Sequence, residues 1–191
     1  MSPRRHTRTR FRTTVAALVA LAATPALAGC GGDDTPDGWT RVETGWLALD
    51  VPDGWVETGR VTDQWTTGWQ DAEGDDATLQ LLASPTLGYY RADVGRGVVL
   101  AGAQVGGLPG FSVVEQTEPV DTDSFELNRT EFTYDSDGDG TYSGILWVAS
   151  DPETEQAVAV QVTGPELDPD IVDTIESSIA VLDTDATPTG S

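Results

Sequence analysis

Hydrophobic and polar positions alternate along most of this chain, and the alternation gives way only to helical spacing or to short polar runs. Leu47, Leu49 and Val51 recur every second residue, which puts them on one face of a strand. Pro52-Asp53-Gly54 closes that strand in a turn before Trp55 and Val56. Gln64 to Asp71 and Thr78 to Ala83 read as two more strands, joined across the polar turn Ala72 to Asp76. From Arg91 to Val105 the period lengthens. Val94, Val98, Ala101 and Val105 fall at helical spacing, with Asp93 near the N-terminal end. Gly95, Gly97 and Gly102 each weaken such a helix by about 1 kcal/mol relative to Ala, so packing on a sheet must hold it. Gly106-Gly107 end the helix, and Leu108-Pro109-Gly110 returns the chain to strands at Phe111 to Pro119, Phe125 to Tyr134, Thr141 to Ser150 and Gln156 to Thr163. The last element is a second helix. Asp168 stands as its N-cap, Pro169 at its first position and Asp170 beside the positive end of its dipole. Ile171, Ile175, Ile179 and Leu182 form its apolar stripe.

These elements predict an α+β domain: an antiparallel meander of about seven or eight strands, with a central helix and a C-terminal helix packed on it. Residues 41–182 form that single domain. Residues 30–40 are expected to be a flexible tether, because Gly31 to Gly38 contains nothing apolar to bury, and residues 183–191 a disordered tail of the same character.

The N-terminal segment follows a different grammar. Arg4, Arg5, Arg8, Arg10 and Arg12 precede an apolar run from Val15 to Ala23, and small residues lead on to Cys30. That order is a secretory signal, and the run is well short of the roughly 18 apolar residues that a membrane-spanning helix needs. Leu27-Ala28-Gly29-Cys30 resembles the bacterial lipobox. The expectation is diacylglyceryl transfer to the Cys30 sulfur and cleavage before it, so residues 1–29 leave and lipidated Cys30 becomes the first residue, holding the domain at the extracytoplasmic face of the membrane.

Cleavage there removes five of the ten basic residues and none of the 32 acids, leaving a formal charge of −27. So negative a surface repels phosphate backbones and anionic headgroups, which excludes nucleic acid as a partner and leaves membrane attachment to acyl chains. The mature chain has no Lys and no His, and its one Cys is the lipid site. Thiol nucleophiles, His-assisted serine triads, Schiff-base lysines and His or Cys zinc sites are excluded with them. The expectation is a protein that is not an enzyme.

Three stretches carry candidate chemistry. Asp135-Ser136-Asp137-Gly138-Asp139-Gly140 matches the first half of an EF-hand loop, in which alternate carboxylates converge on calcium. Its twelfth position is Leu146 and not the bidentate Glu, and strands flank it. It reads first as an acidic hairpin turn, with weak calcium binding through Asp135, Asp137 and Asp139 as the alternative; no other metal or cofactor is expected. Five of the six tryptophans lie in the first strands. Trp65 and Trp69 are expected to share a strand face, and Trp46 to lie opposite Leu47 and Leu49, which makes these three the candidate contacts for a ligand or partner. Asn128-Arg129-Thr130 has the form of a glycosylation sequon but falls within a strand.

Taken together, the strand closed by Val51-Pro52-Asp53-Gly54-Trp55, the central helix, Leu108-Pro109-Gly110-Phe111, the strand meander and a terminal helix carrying Ile175 and Ser178 resemble the LpqN-type lipoproteins of actinobacteria. These belong with the PsbP-like proteins, whose fold also appears in a Ran-binding nuclear import factor. The resemblance spans Gly45 to Leu182 and implies a PsbP-like α/β/α sandwich used for binding or scaffolding. With the lipobox at Cys30, the expectation is a lipid-anchored binding or accessory protein contacting an envelope protein complex. The alternative is a carrier of a small lipid or glycan, which needs a pocket between sheet and helix.

Overall fold

The computed structural model describes residues 35–122, 124–136 and 140–188. Leu27, Ala28, Gly29 and Cys30 lie outside the described residues, as do Asp137 and Asp139. No helix among the described residues is long and apolar enough to cross a membrane.

Two strands form the centre of the molecule, β9 (Gly140–Ser150) and β10 (Gln156–Gly164), and both read as near-continuous apolar runs because both of their faces are covered. They belong to an eight-stranded antiparallel sheet in the order β3 (Val56–Glu57), β4 (Thr67–Gln70), β5 (Gln80–Tyr89), β10, β9, β8 (Glu126–Ser136), β6 (Ser112–Gln116), with β7 (Val120–Asp121) also paired to β8. Helix α1 (Ala92–Gly102) carries the chain from β5 to β6 at the far edge of that sheet. It therefore crosses one face over β10, β9 and β8. The other face carries helix α2 (Pro169–Ser178) and a separate three-stranded sheet of β1 (Trp39–Thr44), β2 (Leu47–Pro52) and β11 (Ala180–Val181). On β10 the alternation divides the core in two: Val158, Val160 and Val162 meet β2 and α2, while Ala159 lies with Val99 and Leu100 of α1.

At the turn between β1 and β2 the small sheet is hydrogen-bonded to the large one. Trp46 N–H donates to Pro85 O (2.9 Å), the Leu182 N–H donates to Trp46 O (2.7 Å), and Thr184 Oγ1 donates to Gly45 O (2.9 Å). Pro85 has no N–H to give a ladder, and β5 bulges there, its pairing with β10 skipping from Ser84 to Gly88. Gly45 sits at φ +56°, and a Cβ on it would lie 2.7 Å from Thr86 Cγ2 and 2.9 Å from Pro85 O.

Helix α2 begins as its sequence implies: Asp168 accepts the Asp170 N–H at 2.9 Å, and Pro169 occupies the first position. It is shorter than expected. Arg41 Nη1 donates to the last helical carbonyl, Ser178 O, and Ser178 Oγ accepts the Asp50 N–H (2.9 Å). The chain then leaves the helix, so Ile179 enters the core from extended backbone and Leu182 follows a strand instead of closing a helical stripe. Thr184 and Ala186 also dock on the domain, inside the segment expected to be a free tail. Glu176 fastens α2 to the sheet, accepting from Trp147 Nε1 (2.9 Å) and Arg129 Nη1 (2.7 Å).

Other boundaries differ for local reasons. The stretch 111–119 shortens to β6, with β7 beginning just past Pro119, and β1 adds a strand that no alternation announces, since Trp39, Arg41 and Val42 are all half-buried. Asp71 closes the connection between β4 and β5 by accepting from Thr78 N–H (2.8 Å), Thr78 Oγ1 (2.6 Å) and Leu79 N–H (3.0 Å). Burial pushes its carboxyl pKa up, but these donors outweigh it and hold the value below the usual carboxylate range.

Two outcomes follow. Gly45→Ala should lose more than about 2 kcal/mol in urea unfolding, since it combines a positive φ with a backbone clash, whereas Gly38→Ala, at φ +86° with open space around it, should lose about 1 kcal/mol. The Asp71 carboxylate stabilises the fold above about pH 4 and ceases to as pH falls through its lowered folded value. Melting temperatures should thus show Asp71→Asn below wild type at pH 7, with the gap narrowing towards pH 2.

Candidate functional site

Helix α1 organises the side of the molecule where chemistry is available. Its buried residues are Ala92, Gly95, Val99 and Leu100, and Val94, Val98 and Val105 face solvent, Val105 at 88 % exposure. The stripe expected to be buried is the outward one. The helix is apolar on nearly every side, so period alone leaves its orientation open, and small residues decide it. A Cβ at Gly95 would already stand 3.1 Å from Val148 Cγ1 and 3.3 Å from Leu87 Cδ2, so only the face carrying Gly95 and Ala92 can approach the sheet this closely. On the outward face Val94, Gly97, Val98, Ala101 and Val105 form an uncharged strip, with exposed Asp93 at its N-terminal border.

Where α1 ends, a single π-helical turn (Ala103–Gly107) widens it, and the sheet beyond is uncovered. A cleft of about 330 Å³ opens there. One wall is Val99, Gly102 and Ala103 of α1 with Leu108, and the other is Val61, Thr62, Gln64 and Trp65 from the loop before β4. The floor is neutral and polar. Gln161 and Thr163 of β10 stand opposite Leu82 and Gln80 of β5, with Tyr134 of β8 beside them. Burial pushes the Tyr134 phenol pKa up, and the neighbouring Tyr142 adds to this against the opposing hydrogen bond with Thr163, so it stays protonated at neutral pH. The Gln64 side chain is tucked against α1, where a Cβ on Gly102 would come within 3.3 Å of its Oε1, and its Nε2 is buried without a hydrogen-bond partner.

The tryptophans expected to share a face do not. Trp69 lies in β4 and packs into the core on the α2 side, while Trp65 precedes the strand and packs under α1. Thr62 Oγ1 accepts the Trp65 N–H (3.0 Å), and Trp65 O accepts the Val61 N–H (2.9 Å), which folds residues 61–65 into a loop and breaks the alternation. Trp46 is fully buried in the turn between β1 and β2, its ring 5.2 Å from that of Tyr89, and is no surface contact. Of the three, Trp65 alone lines the cleft. Asp135 places its N–H on Pro109 O (2.8 Å) and its carboxylate against Gly110; Asp137 and Asp139 lie outside the described residues. No group of three or more metal-ligating side chains occurs among the described residues. Asn128 is fully buried with its Oδ1 accepting from Arg96 (3.2 Å), a position closed to glycosylation. The sequence signal for the cleft was Gln161, a polar interruption in the apolar run Ala157-Val158-Ala159-Val160.

No protein-family model matches the sequence, and no curated protein matches it. Among solved structures, cyanobacterial PsbP (CyanoP) from Synechocystis sp. PCC 6803 superposes with a TM-score of 0.53 at 17 % identity, over 81 % of this chain and 98 % of that one. This is a PsbP-like fold. The Ran-binding protein Mog1p of Saccharomyces cerevisiae matches at TM-score 0.47 and 12 % identity, over 76 % of this chain and 96 % of its own. LpqN of Mycobacterium tuberculosis, described as involved in cell envelope biogenesis, matches at TM-score 0.47 and 15 % identity, over 75 % of this chain and 90 % of its own. In this PsbP-like fold the two faces of α1 have separate surroundings, and substitution separates them. Val98→Ser should melt like wild type, whereas Val99→Ser, one residue on, should lose about 2 kcal/mol in urea unfolding.

Proposed function

We propose that this protein is a non-enzymatic accessory protein of the bacterial cell envelope, held at the extracytoplasmic face of the membrane by acyl chains on Cys30 and binding a protein partner through the outward face of α1. The observation that carries the reading is that face itself. In a mature chain of formal charge −27, the positions Val94, Gly97, Val98, Ala101 and Val105 expose apolar surface without a charge among them. Charged residues are depleted at the centres of protein interfaces, and an exposed apolar strip suits a partner whose own contact is apolar. The lipobox Leu27-Ala28-Gly29-Cys30 supports the location, and the lack of Lys, His and a free thiol in the mature chain supports a binding role.

The test is site-specific photo-crosslinking from position 98 in the protein's own cells, with position 114 on the opposite side of the sheet as reference. A discrete adduct from 98 alone is expected. Val94→Asp with Val98→Asp should reduce recovery of that partner about tenfold without lowering the melting temperature. Cys30→Ser should move the protein from the membrane to the soluble fraction. Equal adducts from 98 and 114, or full recovery with both aspartates in place, would remove α1 from the interface.

A further inference from the structure

The cleft at the end of α1 differs from the rest of this surface in its chemistry. None of its thirteen lining residues is an acid, an arginine or a lysine. Elsewhere, the cleft of 310 Å³ holds Arg41 and Asp50, that of 400 Å³ holds Glu131 and Glu166, and that of 350 Å³ holds Asp173 and Glu176. A shallower depression of 230 Å³ is also uncharged, and it opens off the same floor through Gln80, Tyr134 and Thr163. The two depressions make one continuous neutral surface on a chain this acidic.

Its two sides are unlike. Val61, Trp65, Leu82, Val99 and Leu108 offer apolar contact, while Gln64, Gln80, Gln161, Thr163 and Tyr134 offer amides and hydroxyls. Gln161 is only 8 % exposed, and a carboxamide is costly to bury on a central strand unless it has hydrogen bonds to make. Gln64 lines the cleft, and its Nε2 donor is buried without a partner, so a rotation of the carboxamide towards the cleft lets an acceptor there complete its hydrogen bond. A charged head group would find no counter-ion here and would lose its hydration without compensation. The field of the whole chain opposes an anion as well.

We infer that this cleft binds a small, uncharged amphipathic molecule, its apolar body against Trp65, Leu82, Val99 and Leu108 and a carbonyl or hydroxyl oxygen accepting from Gln64 Nε2. The volume is at the lower end for small-molecule sites, which fits a ligand the size of a medium-length chain with a compact head. The π-helical turn at Ala103–Gly107 and the absence of a side chain at Gly102 together leave the mouth open. This inference goes beyond the proposed accessory role and does not use the outward face of α1.

Three probes with the same eight-carbon chain separate the possibilities: octanamide, octanoate and octylammonium. Binding is followed by NMR at the Trp65 indole and the Gln64 carboxamide, in roughly 0.5 M salt so that the overall negative charge does not favour the cation. Octanamide should shift both signals with a Kd on the order of 1 mM, the range open to so small a ligand, and both ions should bind about tenfold more weakly or not at all. Gln64→Leu should weaken octanamide about three- to tenfold through the lost hydrogen bond, and Ala103→Trp should close the mouth and abolish binding. Val98→Asp should leave octanamide binding unchanged, so that loss of the partner site and loss of the cleft are read separately. The inference falls if octanamide shifts neither signal, if either ion binds as well as the amide, or if Gln64→Leu binds like wild type. Should Ala103→Trp fail to fold, Gln64→Leu and the charge series still decide the matter.

Discussion

The turn Gly45-Trp46 is the joint on which the two sheets depend. One N–H and two carbonyls from these two residues bond to two separate segments, at Pro85 of β5 and at Leu182 and Thr184 after β11, and the Trp46 indole is buried behind them. The joint needs a left-handed residue with no side chain on one side and a bulged strand on the other. Gly45 satisfies the first demand, and Pro85, which cannot donate to a ladder, marks the second. With that contact made, β2 has a fixed position over β5 and β10, and β11 can add to it only after the chain leaves α2. The seat of the small sheet and the docking of the C-terminal segment both draw on this one turn.

Much of this architecture could be read from the residues. The apolar runs of β9 and β10 and the cap and proline of α2 are local signals that the tertiary structure agrees with. The parts that could not be read share a cause: they depend on what lies opposite. Helix α1 is apolar on both sides, and its orientation follows from Gly95 meeting Val148 and Leu87 across the interface. Trp46 looks like an outward residue by alternation because it directly precedes Leu47, yet it belongs to a turn and points into the core. Trp65 leaves the strand pattern because Thr62 captures its backbone. The end of α2 is set by Arg41 and Asp50, far away in sequence.

The candidate site was harder to see than the fold, for a physical reason. A binding surface made of neutral amides and hydroxyls has no signature spacing, unlike metal ligands or a catalytic base and nucleophile. Gln161 and Gln64 are informative only once the sheet places them at the open end of a helix. The same helix supplies the cleft wall with one face and an exposed apolar strip with the other. A residue such as Ala103 therefore affects the first without touching the second, and Val98 the reverse.

The position of β10 has a consequence for how the chain becomes a protein. Among the described residues it is the strand that pairs with both β5 and β9 and so joins the two halves of the large sheet, yet it comes near the end of the sequence. Until residues 156–164 are available, β3 to β5 and β6 to β9 are two open sheets connected by a helix that has nothing complete to lie on. In a chain emerging N-terminus first, the large sheet accordingly closes late, in a slow step set by long loop closure. For a polypeptide threaded through a narrow pore before it folds, such a delay keeps the leading segments in a conformation that can still be pulled.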